Sequence, residues 1–381
     1  MTALVSFGLR AIFGAIAGCL KMPPFILGAL ARGKAPPAYS ADGIELGAAV
    51  LRHTVSKDLS SGGADDFGDL AISSADGTRL HAVVDSGTHR LKGKRPIVFV
   101  HGFPELWVSW HKQLERFASA GHPVLALSMR GYGMSDKPAG LEKYDLSRCL
   151  VEDVRAAVSH AAAMGDGLAP LLVAHDWGAG VSWHYVCQDR TVSSGEVAGY
   201  VSLSNPPAEG FKANMNPTLA WASLYMLFFN MPVLPELVLL ANRAWLVGLL
   251  MGDCSRATLP AWLVNTYRTN ALQDGSMTAQ LNYYRSIIQR PPKPETGFYG
   301  TKGNRLTTPV LMVRGKGDAA LKAGLFKGYD RFLASATLVE LDDCSHWIQA
   351  DCPREVNDEI EIFMEKLGQG QFKISAELFS I

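Results

Sequence analysis

The stretch Val173-Ala174-His175-Asp176-Trp177-Gly178 gives the clearest indication of the fold of this chain. It ends an apolar run, residues 170–174, that is typical of a strand buried on both faces, and it leads into a segment with helical spacing. Small residues at positions 174 and 178 permit a tight strand–turn–helix connection, which exposes the side chain at its middle. Asp176 is therefore a candidate nucleophile. The alternative interpretation of Asp176 alone is an ordinary helix N-cap.

Apolar runs of the same kind recur along the chain and are separated by segments with helical spacing. They lie at residues 96–100, 123–128, 198–204, 309–314 and 336–341. Strands that alternate with helices indicate a mainly parallel sheet. Residues 68–72 and 79–84 alternate in polarity around the turn Ala75-Asp76-Gly77, which predicts an antiparallel hairpin at one edge. The predicted fold class is α/β, with a mostly parallel eight-stranded sheet and helices on both faces.

The domain organisation follows from where this alternation stops. Residues 211–305 have helical spacing and no clear strand, so they are predicted to form a helical insertion between two strands of a core at 67–210 and 306–370. Ligands of such sheets bind beyond the carboxyl ends of the strands. The insertion is therefore expected to form a lid over the site. Residues 33–66 contain Pro, Gly and Ser clusters and are predicted to be a linker.

Residues 1–32 form an apolar N-terminal segment that is a candidate membrane anchor. Arg10 and Lys21 interrupt it, and its uncharged runs are shorter than the ~20 residues that a spanning helix needs. Three interpretations stay open, namely a tilted single-pass anchor such as those of the endoplasmic reticulum, an interfacial helix and a cleaved signal. Cleavage is the least favoured, because no A-x-A site ends the apolar run. A helix that packs on the globular domain is the alternative without a membrane.

Composition excludes several classes of partner and cofactor. The 381 residues carry a formal net charge of +0 and contain no basic run, which argues against a nucleic-acid partner. No metal-ligand spacing is present, and no organic cofactor is expected. The cysteines are too sparse for a disulfide scaffold, and we expect buried free thiols in a reducing compartment. They are Cys19, Cys149, Cys187, Cys254, Cys344 and Cys352.

Two further candidate residues follow predicted strands. Asp318 stands in a Gly-rich loop after the next-to-last strand, and His346 follows the last strand. Each alone is typical of an ordinary loop. Together with Asp176 they occur in the order nucleophile, acid, histidine, each at the carboxyl end of a strand. This order predicts a catalytic triad, with Asp318 orienting His346.

An oxyanion hole is predicted beside the nucleophile. His101-Gly102-Phe103-Pro104 directly follows the strand at 96–100. A turn there can aim the backbone N–H of Phe103 at the site, together with the N–H of Trp177. A plain Gly-Pro turn is the alternative.

With these motifs, the chain resembles the epoxide hydrolases of the α/β-hydrolase fold, especially the animal branch with an N-terminal membrane anchor. The resemblance covers about residues 67–365. It is carried by His101-Gly102-Phe103-Pro104-Glu105, Arg130-Gly131-Tyr132-Gly133-Met134-Ser135, His175-Asp176-Trp177-Gly178 and Ser345-His346-Trp347. It implies that Asp176 is the nucleophile, His346 the base and Asp318 its acidic partner. It also implies a cis peptide bond between Phe103 and Pro104.

The family also holds the epoxide oxygen with two lid tyrosines. Tyr284, in Asn282-Tyr283-Tyr284-Arg285, matches the second of them, and Tyr225 is similar to the first. The residue that follows Phe229 is usually Gln in the family but is Asn230 here, which weakens the match of Tyr225. Each tyrosine has an alternative interpretation as a packed lid residue. We expect both to contact substrate, together with Trp177.

The resemblance implies that small-molecule epoxides are converted to vicinal diols through an alkyl ester on Asp176. Apolar lid residues and the N-terminal segment lead to the hypothesis of a lipid substrate such as an epoxy fatty acid. Two alternatives stay open: a haloalkane dehalogenase with the same triad, which halide release would reveal, and a non-catalytic binding protein of the same fold, which would bind without turnover.

Overall fold

The computed structural model describes residues 67–188, 196–216, 224–254, 259–292 and 305–371. The candidate anchor at 1–32 and the linker at 33–66 lie outside these residues. An eight-stranded sheet has the order β1-β2-β4-β3-β5-β6-β7-β8. Its strands are β1 (Phe67–Ser73), β2 (Arg79–Asp85), β3 (Ile97–Val100), β4 (Val124–Ser128), β5 (Leu171–His175), β6 (Gly199–Leu203), β7 (Val310–Gly315) and β8 (Ala336–Leu341).

Strand β2 pairs antiparallel with both β1 and β4, and every other pair in the sheet is parallel. The prediction of a mostly parallel eight-stranded sheet with an antiparallel edge hairpin is confirmed. The central strands β3 to β6 are buried at every position, which explains why they occur as continuous apolar runs in the sequence.

Helices cover both faces of the sheet. They are α1 (His111–Ser119), α2 (Val151–Met164), α3 (Asp176–Gln188), α9 (Ile348–Asp351) and α10 (Pro353–Gly368). Because side chains alternate along a strand, Phe99 of β3 packs in one core with residues of α1 and α10. Val98 and Val100 pack in the opposite core with residues of α2 and α3. This double burial fixes the register of the strands and the positions of their carboxyl ends.

Between β6 and β7 the described residues form helices and no named strand. These helices are α4 (Ala208–Ala213), α5 (Leu224–Phe229), α6 (Leu234–Cys254), α7 (Ala261–Leu272) and α8 (Ser276–Gln289). The backbone of α6 leaves the helical conformation at residues 241–244. Within the described ranges, Leu234–Met251 is the one helical stretch long and apolar enough to cross a membrane; half of it is buried inside the protein, as in the core helix of a globular domain.

The expectation of free thiols is wrong for two of the cysteines. Cys344 and Cys352 form a disulfide, with their Cα atoms 6.3 Å apart. The loop after β8 and the short helix α9 bring these residues together, which their spacing along the chain does not reveal. Cys187 is a buried free thiol, as expected, whereas Cys149 is free but half-buried.

Candidate active site

Asp176 occupies the tight connection between β5 and α3. The helix begins at Asp176 itself, and Asp176 has a left-handed φ of 47°. A non-glycine residue held in this region is strained, and such strain is concentrated at functional sites. Two glycines make the connection possible. A Cβ atom at Gly178 would lie 2.3 Å from the carbonyl oxygen of His101, and one at Gly102 would lie 2.4 Å from the Cβ of Asp176.

The loop after β3 supplies a hydrogen-bond donor to the Asp176 carboxylate. The backbone N–H of Phe103 donates to Oδ1 of Asp176 at 2.9 Å. The Phe103–Pro104 peptide bond is cis. The side-chain amide of Asn205, which follows β6, donates to the backbone carbonyl of Asp176 at 2.9 Å. The candidate nucleophile is therefore held at both its carboxylate and its main chain.

His346 lies between two carboxylates. Its Nε2 atom is 3.5 Å from Oδ2 of Asp176, and its Nδ1 atom is 2.9 Å from Oδ2 of Asp318. The other carboxylate oxygen of Asp318 accepts the backbone N–H groups of Ala320 and Leu321, each at 2.8 Å. Three residues from the carboxyl ends of three different strands thus meet in one place, as the chain order predicts.

Burial and charge act in opposite directions on these groups. Burial alone would raise the pKa of the Asp176 carboxyl, but the hydrogen bond and positive charge of His346 hold that pKa below its ordinary value. Burial alone would lower the pKa of His346, but the charge of Asp318 and the hydrogen bond to Asp176 raise it well above 6.5. The resting site therefore favours an imidazolium between two carboxylates.

A buried network behind His346 holds its main chain. His175 contacts Oε2 of Glu105 through Nδ1 at 2.6 Å and the carbonyl oxygen of His346 through Nε2 at 3.0 Å. Ser204 donates to the same carbonyl at 2.9 Å, and Gln349 donates to Oε1 of Glu105 at 2.7 Å. Glu105 and His175 appear in the sequence motifs, but this connection depends on tertiary structure.

Tyr225 and Tyr284 line the same cavity as Asp176. The cavity has a volume of about 280 Å³. Tyr284 is buried and its ring lies edge-on to those of Trp177 at 4.8 Å and Tyr225 at 5.9 Å between centroids. Burial, followed by the charge of neighbouring ionisable groups, raises the pKa of both phenols above the ordinary value. Both phenols are thus kept protonated at neutral pH and available as hydrogen-bond donors.

The sequence analysis missed several residues of this cavity. Besides the expected residues, its lining includes Leu146, Gly180, Trp183, His184, Asn205, Pro206, Ala208, Ile287, Pro291, Pro292 and Leu321. Asn205 could have been found, because it follows β6 just as Asp176 follows β5. Leu146 and His184 have no comparable signal in the sequence. Within the described ranges, no group of three or more His, Cys, Asp or Glu residues could hold a metal ion.

Comparison with known proteins places this geometry in a family. The family described as the alpha/beta hydrolase fold matches residues 95–353. The chain is 29% identical over 301 residues to epoxide hydrolase 3 of Xenopus tropicalis, covering 76% of each chain. It is 30% identical over 280 residues to epoxide hydrolase 2 of Caenorhabditis elegans, covering 71% of this chain and 74% of that protein.

A solved structure agrees with the sequence relatives. The epoxide hydrolase of Bacillus megaterium in complex with an inhibitor superposes with a TM-score of 0.65 and 26% identity, covering 78% of this chain and all of the other. Together with the matched family and the named relatives, this likeness shows that the chain is an enzyme that belongs to the α/β-hydrolase family and, within it, to the epoxide hydrolases.

Proposed function

We propose that this epoxide hydrolase converts lipid epoxides, such as epoxy fatty acids, into vicinal diols through a covalent ester on Asp176. The observation that carries the proposal is that Asp176, Tyr225 and Tyr284 line the same cavity. His346 lies within 3.5 Å of the same carboxylate. A nucleophile, two acidic hydrogen-bond donors and a base thus surround one site.

In the first step, a carboxylate oxygen of Asp176 attacks an epoxide carbon, and the bond between that carbon and the ring oxygen breaks. A carboxylate needs no deprotonation at neutral pH, so no base is required here. The departing alkoxide takes a proton from the phenol of Tyr225 or Tyr284. The second phenol stabilises the developing charge by a hydrogen bond. The product is an ester on Asp176 and a tyrosinate.

In the second step, water hydrolyses this ester. Ester formation removes the negative charge of Asp176 beside His346, which lowers the pKa of the imidazolium. The imidazolium gives its proton to the tyrosinate, and the neutral imidazole can then accept a proton from water. The hydroxide attacks the Asp176 carbonyl carbon, while the N–H groups of Phe103 and Trp177 stabilise the oxyanion. Collapse releases the diol, which takes its proton from His346. The acid form of Asp176 then gives its proton to the neutral His346, which restores the carboxylate and the imidazolium of the resting enzyme.

The cavity walls favour an apolar substrate. Leu146, Met226, Ile287 and Leu321 supply apolar side chains around the reacting groups. A lipid epoxide would bury its chain against them, at about 0.8 kcal/mol for each buried CH₂ group. Membrane attachment through residues 1–32 would place the enzyme at the source of such substrates.

Conversion of an epoxy fatty acid by the full chain in detergent tests the proposal, beside Asp176→Ala and the control Asp342→Ala, whose carboxylate pairs with Lys316 on the surface. Diol is expected from the parent and from Asp342→Ala, and none from Asp176→Ala. Diol from Asp176→Ala would contradict the ester mechanism. A preference for small polar epoxides would contradict the lipid substrate. Halide release from a chloroalkane without diol formation would support a dehalogenase instead.

A further inference from the structure

Apolar side chains are exposed to solvent where α5 and α6 join. Leu227 of α5 is 58% exposed, Val233 of the connection is 64% exposed, and Leu237 of α6 is 63% exposed. Met231, also in the connection, is 38% exposed. We call these four residues the lid tip. Large apolar side chains that are exposed together mark an interaction surface, whereas single exposed apolar side chains are ordinary.

The lid tip is almost free of charge. From residue 213 to residue 242 the sequence contains one charged side chain, Glu236. Both carboxylate oxygens of Glu236 accept hydrogen bonds from Arg285, at 2.7 and 2.9 Å. Both side chains are largely buried. The tip therefore offers an apolar surface, and the one charged side chain of its own segment is paired.

Backbone carbonyl groups at the tip also accept hydrogen bonds from within the protein. Nε of Arg285 donates to the carbonyl of Phe229 at 3.1 Å, and Nη2 of the same guanidinium donates to the carbonyl of Met231 at 2.8 Å. The carbonyl of Pro232 accepts from the N–H of Leu234 at 2.6 Å. Hydrogen bonds of this kind lower the cost of removing water from the backbone.

The tip is continuous with the substrate cavity. Tyr225 and Met226 of α5 line the cavity, and the next residue, Leu227, is exposed. On α8, Ile287 lines the cavity and Ile288 is 41% exposed. Both helices thus carry apolar side chains from the outer surface to the reacting groups.

We propose that the lid tip inserts into the surface of a lipid bilayer and that apolar substrates pass from there into the cavity. Four exposed side chains fall short of the ~800 Å² per partner that a stable protein interface buries, so a second copy of the chain is disfavoured. An apolar tip with paired charges matches the boundary between headgroups and acyl chains. The membrane contact depends on neither the reaction nor residues 1–32, whereas the passage of substrate rests on the proposed function.

The lack of Lys and Arg between residues 213 and 242 determines the lipid probe. Vesicles of zwitterionic phosphatidylcholine should suffice, and added anionic lipid or salt should change insertion little. The site-specific measurement is fluorescence of the full chain carrying Leu237→Trp, with brominated phosphatidylcholine as quencher within the bilayer. Ile362→Trp is the matched control, because Ile362 is an exposed apolar residue of a helix, α10, on another side of the protein.

We expect brominated vesicles to remove about half or more of the fluorescence added by Leu237→Trp and little of that added by Ile362→Trp. Equal quenching at both positions, or none at position 237, would overturn the proposal, even if residues 1–32 hold the protein on the vesicle. Acrylamide in the absence of vesicles must quench the tryptophan at 237. Shielding there would mean that the tip is covered by its own chain or by a second copy, which sedimentation would distinguish, and either result also overturns the proposal.

Discussion

His346 Nε2 lies 3.5 Å from the Asp176 carboxylate, so the base and the nucleophile are in direct electrostatic contact before substrate arrives. Burial disfavours the charged form of both groups, yet His346 lowers the pKa of the Asp176 carboxyl, and Asp318 and Asp176 raise the pKa of His346. Ester formation would remove one of these charges and leave His346 facing a neutral carbonyl. The same contact that protonates the imidazole in the resting site would thus release it as a base when the ester needs water.

His346→Gln should separate the two chemical steps. Attack by Asp176 does not need the imidazole as a base, whereas hydrolysis of the ester does, so the variant is expected to stop at the ester, before a turnover is complete. Multiple turnover should fall by about 10³-fold or more. Intact-mass measurement should find one substrate mass added to the protein, on the peptide that contains Asp176. An unmodified variant after long incubation would count against the ester intermediate, provided that the variant is folded.

Stability should depend on pH through His346. Its pKa in the folded protein is raised above 6.5, chiefly by Asp318 and Asp176 acting against burial. Protonation of His346 therefore stabilises the folded protein fully below pH 6.5, and this stabilisation is lost as the pH rises through the folded pKa. Its size is ~1.4 kcal/mol for every tenfold difference between the acid dissociation constants of the folded and unfolded states. Below 6.5, the buried His101 and the half-buried His111, whose pKa values desolvation lowers to about 4, oppose it.

The free energy of unfolding by urea, measured from pH 6.5 to 9, checks this expectation. The parent should lose stability across this range, and His346→Gln should lose less. Parallel curves for the two proteins would show that His346 is not protonated in the resting site.

The two lid tyrosines should act on ring opening. Loss of either phenol by Tyr225→Phe or Tyr284→Phe is expected to reduce kcat/KM by about 10²-fold, and loss of both should reduce it further. Tyr283→Phe is the matched control, since the Tyr283 hydroxyl donates to the carbonyl of Arg130 at 2.9 Å, away from the cavity. The control should cost about 1 kcal/mol of stability and little activity. A Tyr284→Phe variant as active as the parent would show that Tyr284 only packs in the lid.

Much of the site could be predicted because parallel strands end at one edge of the sheet. Asp176, Asp318 and His346 each follow such a strand, and the structure brings them together. Contacts that cross the chain could not be predicted in this way. His175 contacts the carbonyl of His346 directly through one ring nitrogen and Glu105 through the other, and no spacing along the chain encodes these contacts.

The remaining differences have local causes. The disulfide between Cys344 and Cys352 depends on how the loop after β8 turns into α9. The lid tyrosines were identified by resemblance, because helical spacing alone does not say which face of α5 or α8 meets the cavity. The break in α6 at residues 241–244 could not be predicted, because these residues include no Gly or Pro.

Gly102→Ala tests whether the active site tolerates a single added methyl group. The new Cβ would lie 2.4 Å from the Cβ of Asp176 and 2.6 Å from its Oδ1 atom, so the nucleophile or the Phe103 turn must move. A displacement of about 1 Å costs roughly 10²-fold in rate, and we expect kcat to fall by at least that factor. Gly368→Ala is the control, because no atom lies within 4 Å of its added Cβ at the end of α10.

The measurements are kcat on an epoxide and thermal unfolding of both variants. Gly102→Ala should lose activity while it still unfolds cooperatively, and Gly368→Ala should match the parent in both. Full activity of Gly102→Ala would mean that the Asp176 carboxylate reacts from a position other than the one in which it accepts the hydrogen bond of the Phe103 N–H.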